Sequence, residues 1–285
     1  MTLKTNILNF FRLFSKIKFI EQILCNYTQG KSLGSLITRI PANYYQYPSL
    51  SIRKVKRDGI WFELDISDYM EWLIYFGILV EPRKKLYDLI RNKSVIIDIG
   101  GNIGETTLNF AKFAGKKANV YSFEPDSKCY EKLMHNISLN NFENIKVFNF
   151  GLGDVDAKYY LASDSRNNKG GNKIHLNITE EHNIVVKRLD DVVKEEQIFH
   201  VDFIKIDVEG FEYRVLKGAE EIIKNDRPIL FIELDENNLK AQGTSGAALI
   251  SFLETYYSSI ENASTGEQIN SGFNFNNCHF DIVAH

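Results

Sequence analysis

The chain has 285 residues, 44% of them hydrophobic and 25% charged, which is enough apolar length for a core without disulfide or metal staples. A net charge of -3 argues against a general attraction to nucleic acid. Three cysteines, odd in number and far apart, exclude a disulfide framework and a metal-ligand spacing, and a reducing cytoplasm is the simplest setting.

Residues 1–90 read as an accessory segment of helix, hairpin and helix. Residues 7–24 mix aromatic side chains with Arg12, Lys16 and Lys18. These charges interrupt the apolar run well short of the ~20 residues of a spanning helix. A signal-peptide cleavage site is also missing. Two readings stay open: a helix docked on its own domain or on a second copy in a homo-oligomer, or a basic amphipathic helix on a membrane surface. Docking is the simpler. Asp58-Gly59, flanked by the stretches 51–56 and 60–64, predicts a hairpin. Asp68 to Leu79 predicts a short helix closed by Gly77 and Glu81-Pro82, and 83–91 a helix leading into a sheet. The aromatic residues here (Tyr44, Tyr45, Tyr47, Trp61, Trp72) can stack on a sugar ring or simply pack a small core.

From residue 94 the pattern alternates, with strands expected at 94–99, 119–124, 145–150, 202–207 and 228–234 and helices at 104–114, 127–139 and 211–224. Such alternation implies an α/β fold with a doubly wound, mostly parallel sheet. Its first strand runs into Asp98-Ile99-Gly100-Gly101-Asn102-Ile103-Gly104, and Glu105 to Ala111 then starts a helix carrying Thr107. A dinucleotide fingerprint would need glycine at 100, 102 and 105, and fails at the last two. Acids beside a helix N-terminus suit a pyrophosphate poorly. They suit a ligand with a sulfonium and an ammonium, and S-adenosylmethionine is such a ligand. The second strand ends at Glu124, placed to accept from both ribose hydroxyls, and Pro125 stops it. The third expected strand turns at Gly151-Leu152-Gly153 into Asp154, which is expected to face the adenine amino group.

Between residues 155 and 200 the alternation lapses into three short strands around the polar run 163–172, expected to form a lid or wall on the substrate side. Phe203-Ile204-Lys205-Ile206-Asp207-Val208-Glu209-Gly210 then alternates apolar and charged residues up to a helix. Lys205, Asp207 and Glu209 share one strand parity and point the same way. The neighbouring strand brings Glu233, and Asp190 is expected to reach the same cleft. Lys205, Asp207, Glu209 and Glu233 are the catalytic candidates. A carboxylate there can act as general base, or Asp207, Glu209 and Glu233 can hold a divalent metal that orients acceptor hydroxyls. His135, His175, His182 and His200 are weaker base candidates. The final strand, Cys278 to Ala284, is expected at the sheet's edge, with an antiparallel direction open to it.

These motifs resemble the FkbM-type family of S-adenosylmethionine-dependent methyltransferases. The resemblance spans about 72–284 and rests on Tyr75-Phe76-Gly77 with Glu81-Pro82, Val95 to Gly104, Phe123-Glu124-Pro125, Leu189-Asp190-Asp191, Ile204 to Gly210 and Phe280 to Ala284. It implies a class I methyltransferase (Rossmann-like) fold over 91–285, with 155–200 as an insertion. It also implies methyl transfer to a hydroxyl of a sugar, glycan or small natural product. By the resemblance Asp98, Gly100, Asn102, Gly104 and Glu124 are cofactor contacts, and Asp207 and Glu209 belong to the acceptor side. Gly101 departs from the family pattern, which has alanine there. Gly101, Thr107, Pro125, Gly153, Asp154 and Asp207 complete the expected cofactor surround. The expectation is an O-methyltransferase, cytoplasmic with membrane association left open, that uses S-adenosylmethionine, acts on a small molecule or glycan, and takes no nucleic acid. The alternatives are an NAD-dependent oxidoreductase on a related sheet and a non-catalytic cofactor-binding protein.

Overall fold

A computed structural model describes residues 12–79, 83–163, 172–175 and 183–285. The chain divides into two compact units, with the break in sequence after Arg83.

In the first unit, helix α1 (Lys18–Thr28) buries Glu21, Leu24, Cys25 and Thr28, spaced three and four apart on one face. The long N-terminal helix expected from residue 7 is interrupted. At 15–17 the chain turns, where Ser15 Oγ donates to the Arg12 carbonyl and accepts from Ala42 N–H at 2.7 Å. Residues 7–11 of that expectation lie outside the described residues. Strands β1 (Ile52–Arg57) and β2 (Ile60–Asp65) pair antiparallel, with Arg57 opposite Ile60. Asp58 and Gly59 between them both have positive φ, as a two-residue hairpin of the I′ kind needs. Helix α2 (Tyr69–Phe76) is capped by the Asp68 carboxylate, which accepts from Met70 and Glu71 N–H, and it ends at Gly77 in the left-handed region. The buried Arg57 guanidinium donates to the carbonyls of Cys25 and Ile74, tying the hairpin to both helices.

The second unit runs α3 (Arg83–Leu89), β3 (Val95–Ile99), α4 (Glu105–Ala114), β4 (Asn119–Phe123), α5 (Ser127–Ser138) and β5 (Ile145–Phe148). Four short strands follow, β6 (Gly151–Leu152), β7 (Ala157–Ser163), β8 (Asn172–His175) and β9 (Ile184–Lys187), then α6 (Leu189–Glu195) and β10 (Phe203–Ile206). The chain finishes with α7 (Glu212–Gly218), α8 (Glu220–Asp226), β11 (Ile229–Asp235), α9 (Glu236–Ala241), α10 (Gly246–Glu254), β12 (Ile260–Asn262) and β13 (His279–Ala284). Among the described residues the main sheet has the order β12-β13-β11-β10-β3-β4-β5, all parallel except β13. The chain moves outward from β3 through β4 to β5, then returns to β10 on the other side of β3. That reversal leaves a crevice outside the carboxyl ends of β3 and β10, where open α/β sheets bind ligands. This is the doubly wound sheet of the class I methyltransferase (Rossmann-like) fold. One face packs Ile96, Val120, Phe203 and Phe231 under Leu86 of α3 and Phe110 of α4. The other packs Ile97, Ile204 and Ile232 under Val215, Ile223 and Leu249 from α7, α8 and α10.

Three expectations need correction. The last strand is antiparallel but not at the edge, because Ile260–Asn262 pairs outside it. That edge strand is three residues long and leaves almost no periodicity to read. The helix expected over 211–224 is two helices meeting at Ala219, which carries the cap of each. The strand expected over 145–150 stops at Phe148, since Gly151–Leu152 turns away to pair in parallel with β9. The three short strands of the 155–200 region exist, and with β6 they form a separate sheet of order β6-β9-β7-β8. The proposed lid at 164–171 lies outside the described residues. No helix among the described residues is long and apolar enough to cross a membrane.

Candidate active site

Register alone assembles the site. Ser122, Asp98, Lys205, Phe231 and Val283 are successive cross-strand partners over β4, β3, β10, β11 and β13, so they share one face of the sheet. Two residues further along, the same face presents Glu233 and its partner Asp281. Asp207 joins them just past β10, where its N–H still donates to the Ile99 carbonyl at 3.1 Å. Three adjacent strands thus bring acids to one rim.

The glycine loop closes the other side of the crevice. Gly100 has φ 85°, and a Cβ there would run into the Asp207 carbonyl oxygen, so glycine is required for β3 and β10 to stand this close. A Cβ on Gly101 would run into Ser122 Oγ. That hydroxyl lies 2.9 Å from Thr107 Oγ1, which donates to Asp98 Oδ2 at 2.6 Å. The family's alanine is therefore replaced by glycine where a buried Ser122–Thr107–Asp98 chain needs the room. Asp98 itself is fully buried beneath the loop, its carboxyl raised by burial and partly restrained by Lys205 and Thr107. Gly104 caps α4, and Asn136 of α5 holds the Ile103 carbonyl at 2.9 Å.

Glu124 stands just past β4 with Pro125 after it. Its oxygens accept N–H groups from Asn102 and Asp126, each at 2.8 Å, and it is only 7% exposed. Burial pushes its carboxyl up to about 7, against the pull of those two N–H groups. The Asn102 side-chain oxygen is buried and has no hydrogen-bond partner among the described residues. It is an acceptor that a polar ligand group can use.

At the acidic rim, Lys205 Nζ lies 3.1 Å from Asp207 Oδ2, 3.3 Å from the Gly100 carbonyl and 3.6 Å from Asp98 Oδ1. Burial works to lower its pKa, but Asp207 and Asp98 outweigh it, and the ammonium keeps its proton. Lys205 is thus a fixed counter-charge rather than a base. Carboxylate oxygens of Asp207, Glu209 and Glu233 lie within 4.8 Å of one another. Shared strand parity does not explain Glu209, because β10 ends at Ile206. Instead Glu209 (φ 53°) and Gly210 (φ 103°) form a left-handed turn, and Asn238 Nδ2 donates to Glu209 at 2.8 Å. Burial, Glu233 and Asp207 raise the Glu209 carboxyl to about 7.

Four residues at this rim escaped the sequence reading. Glu212 is buried, with Oε1 accepting from Val208 and Gly210 N–H at 3.2 and 2.9 Å, and so shapes the turn that carries Glu209. Burial lifts its carboxyl to about 8. His279 lies 3.0 Å from Glu233 and 3.4 Å from Asp235, and the Glu233 hydrogen bond raises its imidazole to about 9. Asp281 is half-buried, and burial together with Asp207 and Glu233 raises its carboxyl to about 7. Asn238 completes the set. The alternation in His279-Phe280-Asp281 carried a usable signal, whereas nothing in the sequence marks the burial of Glu212. The three rim oxygens are close enough for a divalent cation, and Lys205 and His279 already bring positive charge to the same place.

Other candidates lie elsewhere. Gly153 N–H donates to the Lys187 carbonyl in the small sheet, and Asp154 pairs with Arg214 of α7 at 2.9 Å, so neither ends the third strand. Asp190 does not reach the cleft, because it accepts from Glu221 and Ile222 N–H at the start of α8 and pairs with Arg188. His200 stands between Asp202 and Asp226, each at 3.7 Å, beside the amino end of β10. His135 lies in the last turn of α5. His182 and the His175 side chain fall outside the described residues.

A family model described as the methyltransferase FkbM domain matches residues 98–260. Methyltransferase 1 of Beauveria bassiana is 31% identical over 159 residues, which cover 48% of this chain and 64% of that protein. Methyltransferase sdnD of Sordaria araneosa is 28% identical over 187 residues, covering 55% of this chain and 71% of that one. The hexuronic acid methyltransferase AglP of Haloferax volcanii is 26% identical over 133 residues, covering 46% of this chain and 52% of that one. The matched region thus spans just under two thirds of the first relative and about half of the last.

Proposed function

The chain belongs to the FkbM methyltransferase family, and on that premise we propose that it moves a methyl group from S-adenosylmethionine to a hydroxyl oxygen of a sugar or small natural product. The observation that carries this reading is the crevice itself. A glycine loop at the switch point faces the buried Glu124 on one side and the Asp207–Glu209–Glu233 rim on the other. The residues fit the cofactor. Glu124 retains lone pairs for a vicinal diol, since a carboxylate offers about four acceptor positions and two are used. The unpartnered Asn102 oxygen offers one more acceptor. Rim carboxylates suit a cation and would repel a pyrophosphate, which disfavours a nicotinamide dinucleotide.

When bound, S-adenosylmethionine would supply an electrophilic methyl carbon, with its sulfur as the leaving group on the side opposite the acceptor oxygen. The protein holds the acceptor hydroxyl at the rim and removes its proton. Positioning supplies much of the rate. Glu209, with its carboxyl near 7, is matched to taking that proton at neutral pH. Lys205 holds Asp207 in place through a 3.1 Å ion pair. A sugar acceptor is favoured by the hexuronic acid methyltransferase among the relatives. The test is incubation with S-adenosylmethionine and a panel of glycans that includes uronic acids. Release of S-adenosylhomocysteine with gain of one CH2 on the acceptor is expected. Tight NAD binding with no affinity for S-adenosylmethionine would end the reading.

A further inference from the structure

The first unit carries an apolar stripe that its own core does not use. On α1, Phe19, Ile23 and Tyr27 follow one another at four-residue spacing, and they are 74%, 38% and 67% exposed. Spaced so, they line one side of the helix. Helix α1 packs instead through Glu21, Leu24, Cys25 and Thr28. Leu36 and Ile40, 82% and 48% exposed, extend the apolar surface. Their segment is tied to the start of α1, since Arg12 Nε donates to the Arg39 carbonyl and Ala42 N–H to Ser15 Oγ.

Charge on this surface has one sign. Between residues 12 and 40 the basic residues are Arg12, Lys16, Lys18, Lys31 and Arg39, against a single acid, Glu21. Glu21 is 1% exposed and already paired with Arg53 at 2.7 Å. The protein as a whole is acidic, at -3, so the basic excess is local. Exposed aromatic and aliphatic side chains beside a run of lysine and arginine complement an anionic lipid surface. A two-fold contact with a second copy would set the same basic charges against each other.

We infer that the α1 face of the first unit docks on an anionic lipid bilayer, with Phe19, Ile23 and Tyr27 entering the headgroup region and Lys18 and Lys31 meeting the lipid charge. This surface belongs to the first unit, so the inference does not rest on the methyl-transfer reading. The test is co-sedimentation of the full chain with vesicles of phosphatidylcholine alone and of phosphatidylcholine with phosphatidylglycerol. Binding to the anionic vesicles is expected, at least about tenfold tighter than to the neutral ones and falling with salt. The Phe19→Ser/Tyr27→Ser variant should bind at least about tenfold more weakly. Lys18→Glu/Lys31→Glu should cost about fivefold or more per lysine. Both variants change exposed positions, and unchanged thermal melts would show that the fold is intact. Equal binding to both vesicle types, no binding at low salt, or full binding by the serine variant would overturn the inference. So would a dimer, seen by sedimentation velocity, that dissociates in the serine variant while vesicles go unbound.

Discussion

Replacing Glu124 by glutamine should weaken cofactor binding and, more tellingly, remove a pH dependence of the native protein. Glu124 is 7% exposed, and its two oxygens accept backbone N–H groups of Asn102 and Asp126. Glutamine keeps one acceptor and sets an NH2 against the other N–H, leaving a buried donor unpaired at about 1–3 kcal/mol. It also gives up a charge-assisted bond to the ribose, worth about 1.5–3 kcal/mol. S-adenosylhomocysteine should therefore bind about ten- to a hundredfold more weakly. Burial holds the native carboxyl at about 7, and only its ionised form accepts from both hydroxyls. The ionised fraction falls about tenfold per pH unit below that value, so the native Kd should rise about tenfold between pH 8 and pH 6. Glu209 and Asp281 also titrate near 7 but are present in both proteins. The difference between the two profiles therefore isolates Glu124. Calorimetric titration at pH 6, 7 and 8 makes the measurement. Glutamine binding within twofold of native at pH 8, or an unchanged slope in the variant, would refute the placement of the ribose.

Gly100→Ala should lose at least about 1–3 kcal/mol of stability in urea from backbone strain alone, before the clash with the Asp207 carbonyl is counted; an unchanged midpoint would contradict the packing described. Gly101→Ala should destabilise by itself and be largely rescued by Ser122→Ala, which removes the hydroxyl that its Cβ meets, with a coupling of about 0.5–3 kcal/mol in a double-mutant cycle. Additive costs would mean that the two positions do not compete for space. Glu212 has a folded pKa of about 8, above the ordinary carboxylate value, so its contribution to stability is full at acid pH and lost as pH rises through 8. Glu212→Gln should accordingly gain thermal stability relative to native between pH 5 and pH 9, and a relative loss would reverse the sign argued here. Asp207→Asn should lower turnover more than cofactor affinity, and equal losses in kcat and Kd would remove Asp207 from the acceptor side.

The strand and helix order of the second unit was legible because each element is apolar on a period that its flanking residues respect. The placement of Asp98 through Gly104 and of Glu124 was legible for a different reason: the glycine turn and Pro125 mark the ends of β3 and β4. Sequence failed where tertiary pairing overrode local pattern. Gly151-Leu152 reads as the glycine turn after β5 but pairs as a strand with Val186 and Lys187, and Asp154 pairs with Arg214. Glu209 was grouped with Asp207 by strand parity, and it reaches the rim through a left-handed turn held by Glu212. Asp281 and His279 were missed because their strand was expected at the edge, whereas pairing with β11 sets them against Glu233 and Asp235.

A crystal grown with S-adenosylhomocysteine tests the central claim most directly. The ribose hydroxyls should lie within hydrogen-bond distance of Glu124, with the amino-acid tail over the loop from Gly100 to Gly104. The thioether should face the Asp207–Glu209–Glu233 rim. A ligand seated elsewhere, or one that leaves Glu124 without contact, would contradict the account.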